Sequence, residues 1–190
     1  VGLIEDSMFL GANEKTLGGI DFNANIPSEE VFISPKKGEA EGIVYASKPL
    51  SYQGELIEDF WIRFEKGKAV EVQAEQGEDV LRSAIAVDEG ASYLGEVALV
   101  PYDSPISNAG VLFYNTLFDE NAACHLALGM GFTNCIKDYD KYTLEECREK
   151  GVNDSIIHED FMIGTEDLSV VGITKDGKRV QIFERGNWAF

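Results

Sequence analysis

Both histidines of this chain stand among apolar residues and beside carboxylates. His125 ends the run DENAACH (residues 119–125), and His158 begins the run HEDFMIG (residues 158–164). Imidazole and carboxylate groups in mostly uncharged surroundings are typical ligands of a catalytic divalent-metal site. The sequence therefore indicates a candidate metal site that draws on both runs.

The middle of the chain is acidic and has no basic side chains. No lysine or arginine occurs between Arg82 and Lys137. The acidic residues in this stretch are Asp88, Glu89, Glu96, Asp103, Asp119 and Glu120. A buried carboxylate without a basic partner is costly, so these groups must be solvated, protonated or bound to cations.

The run that begins at His158 has the clearest local geometry. Residues i and i+2 of a strand face the same side, so His158 and Asp160 can bind one ion together while Glu159 points away. The alternative is that each histidine is an ordinary residue hydrogen-bonded to nearby carboxylates. The residues alone leave that choice open.

Ordinary interpretations also exist at three other positions. Glu29-Glu30 after Asn25-Ile26-Pro27 has the composition of a solvated acidic pair. Glu96 opens an apolar run, so it caps, reaches solvent or binds a ligand. Cys124 precedes His125, but neighbours on a helix project about 100° apart, which favours a core thiol over a Cys-His nucleophile.

Composition limits the fold and the partners. With 190 residues, 44% of them hydrophobic, the chain can bury one core, and we expect a single domain over residues 1–190. A net charge of −18 argues against nucleic acid and anionic membrane surfaces, and no apolar run is long enough to span a bilayer. A divalent cation or a peptide with a free amino group fits this charge. The three cysteines, Cys124, Cys135 and Cys147, favour a reducing, cytoplasmic location.

Periodicity predicts an α+β domain with a curved, mainly antiparallel sheet, few helices, and a metal site on strand ends and one helix. Strands are predicted at residues 60–64, 69–74, 95–101, 111–114, 170–174 and 179–183. Helices are predicted between residues 77 and 90, at residues 120–128, and from a capping box at residue 143 to residue 150. On a helix over residues 120–128, Glu120 and His125 would lie about 140° apart, so Glu120 must lie at its frayed start.

Four motifs occur in the order that is typical of one known family. They are NIPSEEVF (residues 25–32), YLGEVALVP (residues 93–101), FYNTLFDENAACHLALG (residues 113–129) and HEDFMIG (residues 158–164). The chain also ends in GNWAF (residues 186–190). In these motifs the sequence resembles the thermophilic-type metallo-aminopeptidases of peptidase family M29 over essentially its whole length.

The resemblance implies a metal-ligand set and a domain identity. The family's ligands fall on Glu30, Glu96, Glu120, His125, His158 and Asp160. They would hold two divalent metal ions, either zinc, cobalt, manganese or magnesium. Because family members carry a preceding α/β domain and Val1 is not an initiator methionine, we expect residues 1–190 to be the C-terminal, metal-binding domain of a longer protein that is a homodimer at full length.

The resemblance also implies an activity, which is removal of N-terminal residues from peptides with a free N-terminus by a two-metal-activated water. Glu29 is the predicted proton acceptor, although neighbouring strand residues point to opposite faces. Phe132 stands where the family usually has an active-site tyrosine, whose hydroxyl can donate a proton or stabilise an oxyanion. Without that hydroxyl, either activity is reduced or water or another side chain takes the role. The alternatives are a catalytically incomplete metal-binding domain and another two-metal hydrolase, such as a phosphoesterase.

Overall fold

A computed structural model describes residues 1–16 and 18–190. In chain order the strands are β1 (Leu10–Gly11), β2 (Asn13–Lys15), β3 (Asp21–Asn23), β4 (Val31–Ile33), β5 (Gly42–Tyr45), β6 (Leu50–Tyr52), β7 (Glu55–Ile57), β8 (Trp61–Glu65), β9 (Lys68–Gln73), β10 (Leu94–Leu99), β11 (His125–Gly129), β12 (His158–Met162), β13 (Val170–Ile173), β14 (Arg179–Glu184) and β15 (Asn187–Trp188). The α-helices are α1 (Glu78–Ala84), α2 (Pro105–Ala109), α3 (Thr116–Asp119) and α4 (Leu144–Lys150).

The largest sheet has the order β1-β4-β10-β11-β12, and every neighbouring pair in it is antiparallel. Its strand β11, which lies between β10 and β12, is buried at every position. Along β11, Leu126 and Leu128 alternate with His125 and Ala127, so the sheet has one leucine-bearing face and one face with smaller and polar groups. The second of these faces carries the candidate site.

The leucine-bearing face packs on the main hydrophobic core. Smaller antiparallel sheets, β5-β8-β9 and β6-β7, complete this core together with α1. Its largest fully buried members include Phe60, Ile62 and Phe161. The sheets β13-β14-β15 and β2-β3 lie outside it. The core therefore holds one face of the central sheet rigidly and leaves the other for chemistry.

The predicted α+β class with mainly antiparallel sheets and few helices is confirmed. The strands predicted at residues 60–64 and 69–74 are β8 and β9, and those predicted at residues 170–174 and 179–183 are β13 and β14. The helix predicted between residues 77 and 90 is α1. The capping box is present, because the Thr143 side chain accepts from the Glu146 N–H and the Glu146 side chain accepts from the Thr143 N–H. None of the helices in the described residues is long and apolar enough to cross a membrane.

Two predicted elements are wrong. Residues 120–128 are not a helix, because a 3-10 turn over Glu120–Ala122 ends at extended Ala123, after which β11 begins. Pairing with β10 and β12 on both sides overrides the helical propensity of this Ala- and Leu-rich stretch. Residues 111–114 are not a strand either. The buried Asp119 carboxylate accepts the backbone N–H groups of Phe113 and Asn115 and holds this segment as a loop.

Candidate metal centre

The candidate ligands come together on the polar face of the central sheet. Across three strands, Ala127 of β11 lies opposite Glu96 of β10 and Asp160 of β12. His158 lies opposite Gly129 in the same register. Because Ala127 and Gly129 have little or no side chain, the longer polar groups of the flanking strands can meet above them.

Glu30 and Glu120 reach the same cluster from outside the regular strands, and His125 reaches it from the first position of β11. Glu30 precedes β4 and shares a face with Phe32, which pairs with Ala98 of β10. Glu120 lies in the 3-10 turn, and the extended Ala123 carries the chain from that turn into His125 at the start of β11. His125 is thus on a strand, whereas the sequence predicted it on a helix.

The first group centres on His125, whose side chain is 1% exposed. Its Nδ1 lies 3.0 Å from the Ala123 carbonyl oxygen. A carbonyl can only accept, so this contact places a proton on Nδ1 and leaves Nε2 as a lone pair in the neutral ring. That lone pair faces Glu30 Oε2 at 3.0 Å, an arrangement that needs a proton or a metal cation between the two atoms.

The second group repeats this logic around His158. Its Nδ1 lies 2.7 Å from the Met130 carbonyl oxygen, which again fixes the proton on Nδ1. Nε2 lies 3.1 Å from Glu96 Oε2 and 3.4 Å from Asp160 Oδ1. A neutral His158 therefore points a lone pair at two carboxylates.

Glu96 belongs to both groups. Glu30, Glu96 and His125 have ligand atoms within 4.8 Å of one another, and so do Glu96, His158 and Asp160. Glu96 is 4% exposed. A carboxylate has two oxygens, so Glu96 can serve a cation in each group.

The charges in this cluster shift its titration strongly. Burial opposes protonation of His125, but the surrounding carboxylates, Glu30 first, raise its pKa to about 10. Burial also opposes protonation of His158, yet Asp160 and Glu96 raise its pKa to about 11. In the absence of metal, protons therefore occupy the positions where cations would bind.

The carboxyl groups shift in different directions. Burial raises the pKa of Glu96. Burial, together with the adjacent charge of Asp160, raises the pKa of Glu120 to about 8. Burial would raise the pKa of Asp160 as well, but His158 beside it lowers the value below the ordinary one.

The donor set fits divalent cations. Glu30 Oε2 and Asp160 Oδ1 are buried, and with both histidines neutral and Glu120 ionised neither oxygen has a hydrogen-bond donor among the residues that the structure describes. Buried carboxylate oxygens without donors are costly unless a cation satisfies them. Mixed carboxylate and imidazole ligands suit zinc, cobalt or manganese, and an oxygen-rich set also suits magnesium.

A cavity of about 500 Å³ opens over this cluster. Candidate ligands from all the contributing elements line it, and Phe32 and Phe132 form part of its wall. The Phe132 ring lies 4.9 Å from the His158 ring and 5.2 Å from the Phe32 ring. Phe132 is therefore within the site, as expected for the position where the resemblance places a tyrosine.

Glu29 lies differently from the ligand candidates. Its side chain is exposed and is not among the residues that line the cavity. Its backbone N–H donates to Asn121 Oδ1 over 2.5 Å. The role of Glu29 as proton acceptor stays a prediction.

Sequence reasoning missed Asn121, which is 0% exposed. Its Nδ2 donates to the carbonyl oxygens of Leu117 (2.9 Å) and Pro27 (3.4 Å), while its Oδ1 holds Glu29 N–H. This side chain joins the segment before Glu30 to the turn that bears Glu120. Its place next to Glu120 in the sequence was the available signal, but an asparagine there is equally compatible with a surface turn.

These features define a buried carboxylate and imidazole centre of the kind that binds divalent cations. The chain matches the family described as thermophilic metalloprotease (M29) over residues 1–188. It is 52% identical over 183 residues to aminopeptidase AmpS of Bacillus subtilis (strain 168), and 49% identical over 190 residues to aminopeptidase 2 of Geobacillus stearothermophilus. The chain belongs to the M29 family.

A solved structure of a related protein has the same fold. Wild-type AmpT from Thermus thermophilus superposes with a TM-score of 0.92 at 46% identity, covering 100% of this chain and 47% of that one. The matches to AmpS and to aminopeptidase 2 cover 96% and 100% of this chain but 45% and 46% of those proteins. The chain therefore spans less than half the length of these relatives.

Proposed function

We propose that residues 1–190 are the metal-binding catalytic domain of an aminopeptidase that removes N-terminal residues from peptides. The observation that carries this proposal is the pair of histidine rings on one sheet face, each held through Nδ1 by a backbone carbonyl so that Nε2, the ligand atom of the neutral ring, is aimed at carboxylates. Membership of a metalloprotease family, and relatives named aminopeptidase, select peptide hydrolysis among the reactions such a centre can support.

Two divalent ions are proposed to share this centre. Glu30, Glu96 and His125 would hold one, and Glu96, His158 and Asp160 the other. Glu120 would complete the set next to Asp160. When bound, such ions lower the pKa of a water molecule and polarise a substrate carbonyl.

The residues of the chain have three further tasks in this proposal. The carbonyl oxygens of Ala123 and Met130 hold the imidazole rings in the required tautomer and orientation. The sheet and the aromatic wall restrict water around the scissile bond. Glu29 is the proposed proton acceptor, and full activity of metal-loaded Glu29→Gln would remove it from that role.

The electrostatic character of the cavity favours a substrate with an α-ammonium group. Its lining contains carboxylates, but no lysine or arginine belongs to the described lining residues. A phosphoesterase needs positive groups for the transferring phosphoryl group. A peptide N-terminus is therefore preferred over a phosphate ester.

A catalytically incomplete metal-binding domain is the second candidate, and Phe132 favours it because a phenyl ring offers no proton. The partial match to the relatives also favours this candidate, because the half of those proteins outside the match is available to complete a substrate cleft. Homodimer formation at full length also stays a proposal. So does a cytoplasmic location, with which the three buried free thiols agree.

The test is elemental analysis of the purified chain together with hydrolysis of leucine and arginine anilides, before and after chelation and reloading with cobalt or zinc. About two ions per chain with metal-restored hydrolysis are expected. The His125→Ala/His158→Ala double variant is the control that should lose both. Metal without turnover in the wild type, with turnover in Phe132→Tyr, would support the incomplete domain instead.

A further inference from the structure

The cavity over the metal centre has more carboxylates than the proposed ions can neutralise. Its acidic lining residues are Glu14, Glu30, Glu96, Glu120, Glu159 and Asp160. Glu30, Glu96, Glu120 and Asp160 are proposed ligands, and two divalent ions would balance their charge. Glu14 and Glu159 would then remain as the uncompensated negative groups.

Glu159 lines the cavity from β12, but strand alternation directs its side chain away from the face that carries His158 and Asp160. It lies between His158 and Asp160 on β12, so it shares the opposite face with Phe161, a member of the main core. It pairs with Leu128, which belongs to the same core. On that side its charge also acts on Tyr52 of β6 and contributes to raising the pKa of that phenol, after burial.

Glu14 lines the cavity from strand β2. It is exposed, and it lies on the β2-β3 hairpin, which follows the edge strand β1 of the central sheet. In the register of β1 and β4, Gly11 lies opposite Val31, so the hairpin begins beside the segment that carries Glu30. Ala12 and Ala24 are the neighbouring lining residues on the hairpin, and neither has a polar side chain.

The charge of Glu14 is uncompensated within the hairpin. Lys15 forms its ion pair with Asp21, and these two residues pair directly across β2 and β3. Glu14 lies opposite Phe22 instead. In residues 1–16 and 18–190, no lysine, arginine or histidine forms an ion pair with Glu14.

We propose that Glu14 binds the cationic head of the substrate's first side chain and favours peptides that begin with arginine or lysine. This inference rests on the proposed aminopeptidase function. Arginine and lysine have an apolar stem and a charged end. The apolar stem matches the Phe32 and Phe132 wall, and the charged end matches Glu14, the lining carboxylate that neither serves as a ligand nor faces the core.

The first test compares kcat/KM for arginine and leucine anilides in the cobalt-loaded wild type, Glu14→Gln and Glu14→Lys. A partly exposed ion pair predicts that Glu14→Gln lowers the arginine-to-leucine ratio by about fivefold, and that Glu14→Lys lowers it further. Glu55→Gln removes one carboxylate charge from an exposed position of β7 that does not line the cavity, so it should leave the ratio unchanged.

A binding measurement separates this inference from the proposed function. Titration calorimetry with argininamide and leucinamide on the metal-loaded protein needs no turnover. Tighter binding of argininamide that is lost in Glu14→Gln but kept in Glu55→Gln supports the role of Glu14, even if neither anilide is hydrolysed and the aminopeptidase proposal fails. Equal binding of both amides, or an equal effect of both variants, overturns the role of Glu14.

Discussion

Two backbone carbonyl groups orient the histidine rings of the candidate metal centre. Ala123 and Met130 each accept from a histidine Nδ1, at 3.0 and 2.7 Å. In the neutral rings, both Nε2 atoms therefore point their lone pairs into the cluster. An outer contact of this kind fixes the ring and raises its basicity toward a metal.

The shared position of Glu96 predicts unequal effects for two conservative substitutions. Glu96→Gln removes a carboxylate from both ligand groups, whereas Glu30→Gln removes one from a single group. We expect Glu30→Gln to retain about one ion per chain and Glu96→Gln clearly fewer, against about two in the wild type. Elemental analysis after dialysis against micromolar zinc measures this, and equal metal contents in the two variants would show that Glu96 is not shared.

The raised pKa values of two other candidate ligands, Glu120 and His125, predict how the stability of the metal-free protein depends on pH. The pKa values of Glu120 (about 8) and His125 (about 10) lie above the ordinary values of 4.5 and 6.5. The folded state thus binds protons more tightly than the unfolded one, and this stabilisation, complete at low pH, is lost as pH rises through the folded-state values.

Between pH 5 and 8, the free energy of unfolding of the chelated protein should therefore fall, by at most about 1.4 kcal/mol per pH unit for each group. Urea denaturation after dialysis against a chelator measures this decline. Glu120→Gln has no proton to lose, so its curve should be flatter over the same range. A stability that rises toward pH 8 would contradict the assigned directions.

At the scale of the elements, the sequence predicted local pairs better than distant ones. His158 and Asp160 share a strand face as predicted, because alternation fixes which way two residues two apart must point. The element that holds His125 was predicted wrongly, since the Ala- and Leu-rich run after it favours a helix locally. Pairing with β10 and β12, which lie far away in the sequence, makes this run the internal strand β11.

The link between the segments of Glu30 and Glu120 could not be predicted, because it depends on one side chain reaching across the fold. Residues 29 and 121 meet through the Asn121 carboxamide, and nothing in the sequence around either one specifies that contact. The motif resemblance gave the candidate ligands, whereas the sheet register, which the motifs do not specify, brings them together. The spacing of residues along the sequence does not indicate which side chains form hydrogen bonds between distant segments.

Asn121→Ala should separate this joining role from ordinary stability. Loss of a buried amide leaves the Glu29 N–H without its acceptor and should destabilise the protein by about 1–3 kcal/mol. Looser ligand segments should also weaken metal binding by about 10- to 100-fold. Competition with a chromophoric chelator and the visible spectrum of the cobalt-loaded protein measure the metal site directly.

Asn187→Ala is the matched control for Asn121→Ala. Asn187 also joins two distant segments, since it accepts from the Asp103 N–H and donates to the Arg185 carbonyl oxygen, but it does not line the cavity. Its loss should alter the melting temperature without changing metal affinity or the cobalt spectrum. If both variants affected metal binding equally, Asn121 would have no specific role in positioning the ligands.

At the scale of the whole molecule, the metal centre joins parts of the chain that are far apart in sequence. The proposed ligands extend from Glu30 to Asp160 and come from the residue before β4, from β10, β11 and β12, and from the turn after α3. Without cations, four carboxylates in one cluster repel one another in a chain whose net charge is already −18. Metal binding should therefore stabilise the entire domain rather than one loop.

Chelation is expected to lower the melting temperature for this reason. One ion present at 100 times its dissociation constant stabilises the folded state by about 2.7 kcal/mol. For a domain of this size that corresponds to a shift of about 5–10 °C, measured by differential scanning calorimetry before and after exhaustive dialysis against EDTA. The His125→Ala/His158→Ala double variant should melt at one temperature with or without chelator. An unchanged melt of the wild type after metal removal would contradict a metal centre in this fold.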